Sequence, residues 1–312
     1  MRAAIKQAFT SFLYVLLLLS CAKKGKDPTV IVKELPGYPS ASAIEYVNGK
    51  LYIMGDDATQ MLVLDTNLNI IDSVPFFYSE SGRVPKDSKQ DIESILFLND
   101  SNKLILFGSG SLSPYRDSAW YFDIETKEKK ARSYHPLYST IRNLGIKEIN
   151  IEGAVKINDE FILANRGHLD NPKNHLLFFR NNFFVEPGTI FIAPVTYTQD
   201  STSFQGISGL TYSPVNDALI MTVSTEQTAS VFEDGEIGKS YIWIIHKISI
   251  PIPVTEFKPD KIIDLEKIDP VFKGHKIESA AVIGESKNSI RLILVADNDD
   301  GGSTVFKLSV KS

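Results

Sequence analysis

Short apolar runs, broken by Asn, Asp, Gly and Ser, set the pattern of this chain. The stretch from Ile149 to Gly167, INIEGAVKINDEFILANRG, is the clearest case: two apolar runs, with polar residues where the first begins and the second ends. Runs rich in Val, Ile, Phe and Tyr with such boundaries read as strands joined in hairpins. No long stretch shows a convincing helical period. The unit recurs five times. Aligned on I-E-G-A, the copies put Ala41 (SASA), Glu93 (IESI), Glu152 (IEGA), Ser208 (ISGL) and Glu278 (IESA) in one column, at steps of 52, 59, 56 and 70 residues. Second runs follow at Leu51–Met54, Leu104–Phe107, Phe161–Ala164, Ala218–Val223 and Arg291–Ala296, and third runs at Met61–Leu64, Ala119–Phe122, Leu176–Phe179, Tyr241–Ile245 and Val305–Leu308. Most copies add a fourth, as at Ile70–Phe76, Lys130–His135 and Thr189–Tyr197. Four strands per repeat, repeated radially, make a propeller blade.

The last copy runs out of chain after its third strand, while a spare strand, Thr29–Leu35, precedes the first copy. Pairing the two closes the ring and removes an exposed edge. The expected fold is therefore all-β: a β-propeller of five blades, each of four antiparallel strands, with the N-terminal strand completing the last blade. Six blades are the alternative, because the 70-residue step has room for a degenerate blade around Val254–Ile263. Residues 29–312 are expected to form this one domain, and a hydrophobic content of 43% with 10% aromatic residues suffices for a continuous core between blades.

Residues 1–20 carry Arg2 and Lys6, then the apolar run Phe12–Leu19, which is too short for a membrane span and reads as a secretory signal. The single cysteine of the chain, Cys21, follows Leu-Leu-Ser directly, and this resembles the lipobox of bacterial lipoproteins, in which that cysteine is lipidated. Residues 21–28 then read as a flexible tether. By resemblance to lipoprotein sorting rules, the absence of an aspartate after Cys21 points to the outer membrane, facing the periplasm. One cysteine allows no intramolecular disulfide. A net charge of −5 and a pI near 5.6 argue against nucleic acid as a partner. A monomer is expected.

In an antiparallel blade the head of strand one and the tail of strand two share an edge, so the repeated column should ring the mouth of the central channel. A second, wider ring should hold Asp56-Asp57, Ser109-Gly110-Ser111, Asn165-Arg166-Gly167, Thr225-Glu226 and Asp297 to Asp300. Converging polar groups in a concavity are the usual setting for binding. Glu93, Glu152 and Glu278 on neighbouring channel walls repel unless a cation or protons intervene, and calcium, which accepts oxygen ligands in loose geometry, suits such a ring. The alternative is that each glutamate bonds the next blade's backbone and stitches the ring together. Gly108-Ser109-Gly110-Ser111 with Arg116, and Arg166 with His168 behind it, supply amides and guanidinium groups suited to an anion. Arg83, Lys86 and Lys89, in the loop entering blade two, should open on the same face. The five histidines show no zinc-binding spacing. Asp297 to Gly302 resembles a calcium loop but lacks the ligand positions, and reads as a hairpin turn.

The I-E-G-A and I-E-S-A strand heads, FGSGS with its following arginine, and ANRG together resemble an uncharacterised family of bacterial lipoprotein propellers. More distantly they are similar to phytase-like, "esterase-like" propeller domains. That resemblance implies Glu93, Glu152 and Glu278 as calcium ligands, and Ser109, Ser111, Arg116 and Arg166 as binders. It also implies a calcium-dependent phosphoesterase or a lactonase-type hydrolase, with Glu152, Arg116 and Arg166 as the catalytic candidates. The leading expectation is different: a lipid-anchored module that uses the channel-mouth face to bind a small anionic ligand, an envelope protein or a glycan.

Overall fold

The computed structural model describes residues 30–168, 170–180, 188–197, 204–226, 237–249 and 255–312. Its first strand, β1 (Ile31–Leu35), waits for the last. Blade one runs outward from the axis through β2 (Ala41–Val47), β3 (Lys50–Gly55), β4 (Gln60–Asp65) and β5 (Ile70–Pro75). Blade two holds β6 (Ile92–Leu98), β7 (Lys103–Gly108), β8 (Ser118–Asp123) and β9 (Lys129–Ser133). Blade three holds β10 (Ile151–Ile157), β11 (Glu160–Asn165), β12 (Asn174–Arg180) and β13 (Phe191–Val195). Blade four holds β14 (Gln205–Ser213), β15 (Ala218–Glu226), β16 (Ile237–His246) and β17 (Lys261–Asp264). Blade five is β18 (Lys276–Ser286), β19 (Ser289–Asp297) and β20 (Ser303–Val310), completed by β1, which pairs antiparallel with β20 from Leu35–Ser303 to Ile31–Lys307. The first strands neighbour one another all the way round, and β18 meets β2. The protein is a five-bladed β-propeller closed by its N-terminal strand. The stretch with room for a sixth blade supplies the outer strand of blade four at Lys261–Asp264; Val254 lies outside the described residues, as do the signal segment, Cys21, the tether and Thr29.

The burial gradient explains why the sequence reads as apolar runs. Second strands are covered on both faces by neighbouring blades, so Leu51 to Met54 of β3 and Leu104 to Phe107 of β7 are all buried. Polar alternation is not required there. Outer strands face water: every residue of β9, KKARS, is exposed. The core lies between blades. Blade one packs on blade five through Ile293, Val295 and Val305, and on blade two through Ile95 and Leu106. Trp243 is fully buried between blades three and four, its ring tilted 51° to that of Tyr197 with centroids 4.6 Å apart.

Like the single helical turn Leu265–Ile268, the longest helix among the described residues, α1 (His135–Asn143) between blades two and three, escapes the sequence reading. Its apolar face is only Leu137, Tyr138 and Ile141, too few residues to establish a period. Tertiary contacts hold it. The Tyr138 hydroxyl donates to the Gly108 carbonyl at 2.7 Å, and the buried Asp117 carboxylate lies 2.9 Å from His135 Nδ1 and accepts from Arg142 at 3.2 Å.

Candidate functional site at the channel mouth

The ring begins with a backbone irregularity that occurs five times. In every first strand the pairing with the second strand skips one residue: between Ala41 and Ala43, Ile92 and Ser94, Ile151 and Gly153, Ile207 and Gly209, and Ile277 and Ser279. The skipped residues are Ser42, Glu93, Glu152, Ser208 and Glu278. A bulge re-aims the side chain of its extra residue. The column of the repeat is thus a ring of bulged residues, and in blade one it holds Ser42. Ala41 is in register opposite Gly55, so the sequence alignment of that copy was off by one.

The two serines are the stitches. Ser42 Oγ donates to the Ile92 carbonyl of blade two at 2.5 Å, and Ser208 Oγ to the Ile277 carbonyl of blade five at 2.7 Å. The glutamates instead meet side chains. Two residues before each of these glutamates, just ahead of the strand or at its first residue, stands a polar or charged neighbour. Asn150 Nδ2 donates to Glu152 Oε1 at 2.6 Å, and Lys276 Nζ to Glu278 Oε1 at 2.9 Å. In blade two that place is taken by Asp91, a like charge. The compensation comes from Lys89, whose ammonium contacts Asp56 and lies 2.8 Å from Asp91 Oδ1. Arg83 similarly pairs with Asp57 at 2.6 Å.

These surroundings spread the acidities. Burial, then the charges of Glu152, Asp91 and Asp56, push the Glu93 carboxyl well above the carboxylate range. Glu152 is pushed up to about 8, first by burial and then by Glu278 and Asp91, with Arg166 opposing. Burial also raises Glu278, restrained by Lys276 and Arg166. Asp56 rises to about 6 through burial, opposed by Lys89. Asp91 goes the other way: burial works against its charge, yet Lys89 and Arg116 outweigh that and hold it below its ordinary value. Glu93 feels Glu152, and Glu152 feels Glu278, so the three glutamates face one another around a single opening. At neutral pH the mouth therefore sets Glu152, a carboxyl raised to about 8, beside Asp91, a carboxylate held below its ordinary value.

The remaining predicted residues fall into two groups. Ser109, Ser111 and Arg116 form one knot on Asp91: Arg116 Nη1 donates to Asp91 Oδ2 at 2.6 Å and to Ser111 Oγ at 2.8 Å, Nη2 donates to the Lys86 carbonyl at 3.1 Å, and Ser109 Oγ donates to Asp91. Gly108 serves this knot by close approach, since a Cβ there would lie 2.5 Å from the Arg116 carbonyl oxygen. Arg166 is buried near Glu152 and donates to Ser224 Oγ at 3.2 Å. It occupies space that only a glycine leaves, because a Cβ on Gly206 would meet its Nε at 2.5 Å. His168 stands apart from the ring, hydrogen-bonded through Nε2 to Glu148.

Among the described residues, the carboxylates that come together tightly enough to share an ion are Asp56, Asp91 and Glu93, each with an oxygen within 4.8 Å of the others. Only Glu93 belongs to the glutamate ring, and Lys89 already places a cation between the two aspartates. As they stand, these residues suit an ammonium better than calcium. The sequence reading named Lys89 and Asp56 as facing the mouth but passed over Asp91, Asn150 and Lys276. The signal was available: in a strand, residues two apart share a face, and K-Q-D-I-E and K-I-E place these groups beside the column.

Solved structures with this fold serve differing chemistry. Glutaminyl cyclase from Myxococcus xanthus superposes with a TM-score of 0.50 at 9% identity, over 91% of this chain and 97% of that one. Arabinanase from Bacillus subtilis gives 0.50 at 13% identity, over 89% and 96%. A DUF4221 family member from Bacteroides vulgatus gives 0.44 at 10%, over 91% and 97%. At such identities the likeness extends to the propeller fold alone. No curated protein matches the sequence. Residues 37–310 match the family of unknown function DUF6929, and the chain belongs to that family.

Proposed function

We propose that this protein is a lipid-anchored envelope module that binds a small polar ligand at the channel mouth. The observation that carries the reading is the ionisable ring: Glu93, Glu152 and Glu278, each aimed by a bulge, with Asp56, Asp91, Lys89, Arg116, Arg166 and Lys276 around them. Buried ion pairs seldom stabilise a fold better than apolar packing of the same volume, whereas clusters of perturbed carboxyls mark working sites. The ligand class that fits has hydroxyl or amine donors for the orphaned, buried Asp56 Oδ1, and an acceptor for Glu152, whose carboxyl is raised to about 8. A glycan or a zwitterionic metabolite meets both needs.

Lipidation of Cys21 would orient this site. Leu35 of β1 lies at the mouth end, opposite Ser303, while Ile31 lies opposite Lys307, further down β20. The chain before Ile31 therefore leads toward the face opposite the mouth. The nine residues from Ala22 to Val30 reach at most about 30 Å, so the mouth would point away from the outer membrane into the periplasm. No helix among the described residues is long and apolar enough to cross a membrane.

The test is thermal denaturation against a panel of sugars, amino acids, nucleotides and phosphoesters. A ligand of the mouth raises the Tm of the native chain and leaves Glu152→Gln unaffected. A panel in which every stabilising compound acts equally on both proteins removes the reading.

A second reading, hydrolysis, is favoured by one observation: Glu152 is raised to about 8 while Asp91 is lowered. Carboxyl groups whose acidities are pushed apart, here on adjacent blades, can divide acid and base roles. Glu152 would protonate a leaving oxygen and Asp91 would accept a proton. The phytase-like variant asks Arg116 and Arg166 to steady a phosphate, and Arg116 would first have to release Asp91. Chromogenic phosphoester, lactone and glycoside substrates test it; turnover that persists unchanged in Glu152→Gln would refute these roles.

A further inference from the structure

Beside the ring lies a cleft of about 270 Å³, between the segment leading from α1 to β10 and the turn joining β11 to β12. Its lining is basic: Arg166, His168, Lys173 and His175 against the single carboxylate Glu148. His168 is the informative member. It is 8% exposed, its Nε2 is hydrogen-bonded to Glu148, and its Nδ1 is buried without a hydrogen-bond partner. A carboxylate on one ring nitrogen fixes a proton there and makes the other nitrogen the place where chemistry happens. A buried polar nitrogen left unmatched is costly, and a ligand removes that cost.

We propose that this cleft binds a small oxyanion, a carboxylate or phosphate group, received by Nδ1–H of a protonated His168 with Lys173 alongside. The imidazolium then lies between two anions, Glu148 on one nitrogen and the ligand on the other. That arrangement is self-consistent in charge: Glu148 offsets the proton on His168, and Lys173 and Arg166 offset the ligand. His175, across the same cleft, does not compete for the proton, because burial and the nearby Lys173 lower its basicity. Arg166 forms the back wall and is shared with the channel mouth. The proposal otherwise stands independently of the ring, because neither Glu152 nor Glu93 lines the cleft.

The full chain has five histidines, at 135, 168, 175, 246 and 275, and their ring resonances can be followed individually by NMR after ¹³C-histidine labelling. Inorganic phosphate and acetate are the two probes, which also distinguish a phosphate from a carboxylate site. The expected result is a saturable shift of the His168 resonance with at least one of the two probes. Lys173→Met should weaken binding about tenfold, as the loss of one charge-assisted contact does. His168→Gln should weaken binding, followed through the His175 ring, about tenfold, and Glu152→Gln should leave binding intact, which separates this site from the ring. No His168 shift at tens of millimolar of either probe overturns the proposal. So does a shift shared equally by the exposed His135, or binding that Lys173→Met leaves unchanged.

Discussion

Lys89→Met puts the electrostatics of the mouth to the sharpest test. Lys89 is buried, its side chain 11% exposed, and its ammonium lies between Asp56 and Asp91, whose side chains are 20% and 6% exposed. Methionine keeps most of the volume and removes the charge. Breaking one partner out of a buried pair typically costs about 3–5 kcal/mol, because the other charge is left uncompensated. For a domain of this size that is a fall in Tm of roughly 6–10 °C, at about 2 °C per kcal/mol. The variant should also gain something. With the ammonium gone, the oxygens of Asp56, Asp91 and Glu93, within 4.8 Å of one another, become a calcium site of ordinary chemistry. Millimolar calcium should restore part of the lost Tm in Lys89→Met, while native protein should respond to neither calcium nor EDTA. Scanning calorimetry with and without calcium reads both effects. A variant that melts within a degree of the native chain, or native protein that EDTA destabilises, would falsify the assignment of Lys89 as the built-in cation.

Other outcomes follow from the same geometry. Glu152 is a carboxyl raised in the folded chain from 4.5 to about 8, so the folded state holds its proton more tightly; this contribution is full below about pH 4.5, is lost as pH rises through 8, and should vanish from urea-melt stability profiles of Glu152→Gln. Removing a stitch, by Ser42→Ala or Ser208→Ala, should cost about 1–3 kcal/mol each, since an inter-blade carbonyl loses its donor, and the two losses should add because they lie in different blades. Gly206→Ala should cost about 1–3 kcal/mol by crowding the buried Arg166, and should raise the Glu152 midpoint further, because Arg166 is what opposes the shift.

The sequence and the structure agree where the repeat is carried by hydrophobic burial. Strands buried on both faces leave apolar runs, and five such pairs with a spare Thr29–Leu35 dictate a closed ring. They part where side-chain direction depends on backbone detail. A bulge cannot be read from composition, so Ser42 was passed over for Ala41, although A-S-A-I fits I-E-S-I once the skip is known. Charge compensation is half legible: the repeat puts Lys89 and Asp56 at the mouth, but Asp91 and Asn150, just ahead of β6 and β10, and Lys276, the first residue of β18, stand where polar residues are ordinary. α1 was invisible because its buried face has only Leu137, Tyr138 and Ile141. The cleft is invisible for a related reason: Glu148 comes from the segment between α1 and β10, and His168 and Lys173 from the turn joining β11 to β12.

The central claim is that bulged residues from separate blades share one electrostatic environment at the axis. The direct measurement is the titration of Glu152 by ¹³C-carboxyl NMR in native protein and in Glu278→Gln. The account predicts a midpoint near 8 in the native chain that falls when Glu278 is neutralised, because one like charge is removed and Lys276 is freed to favour the Glu152 carboxylate. A midpoint near 4.5, or one that ignores the loss of Glu278, would contradict it.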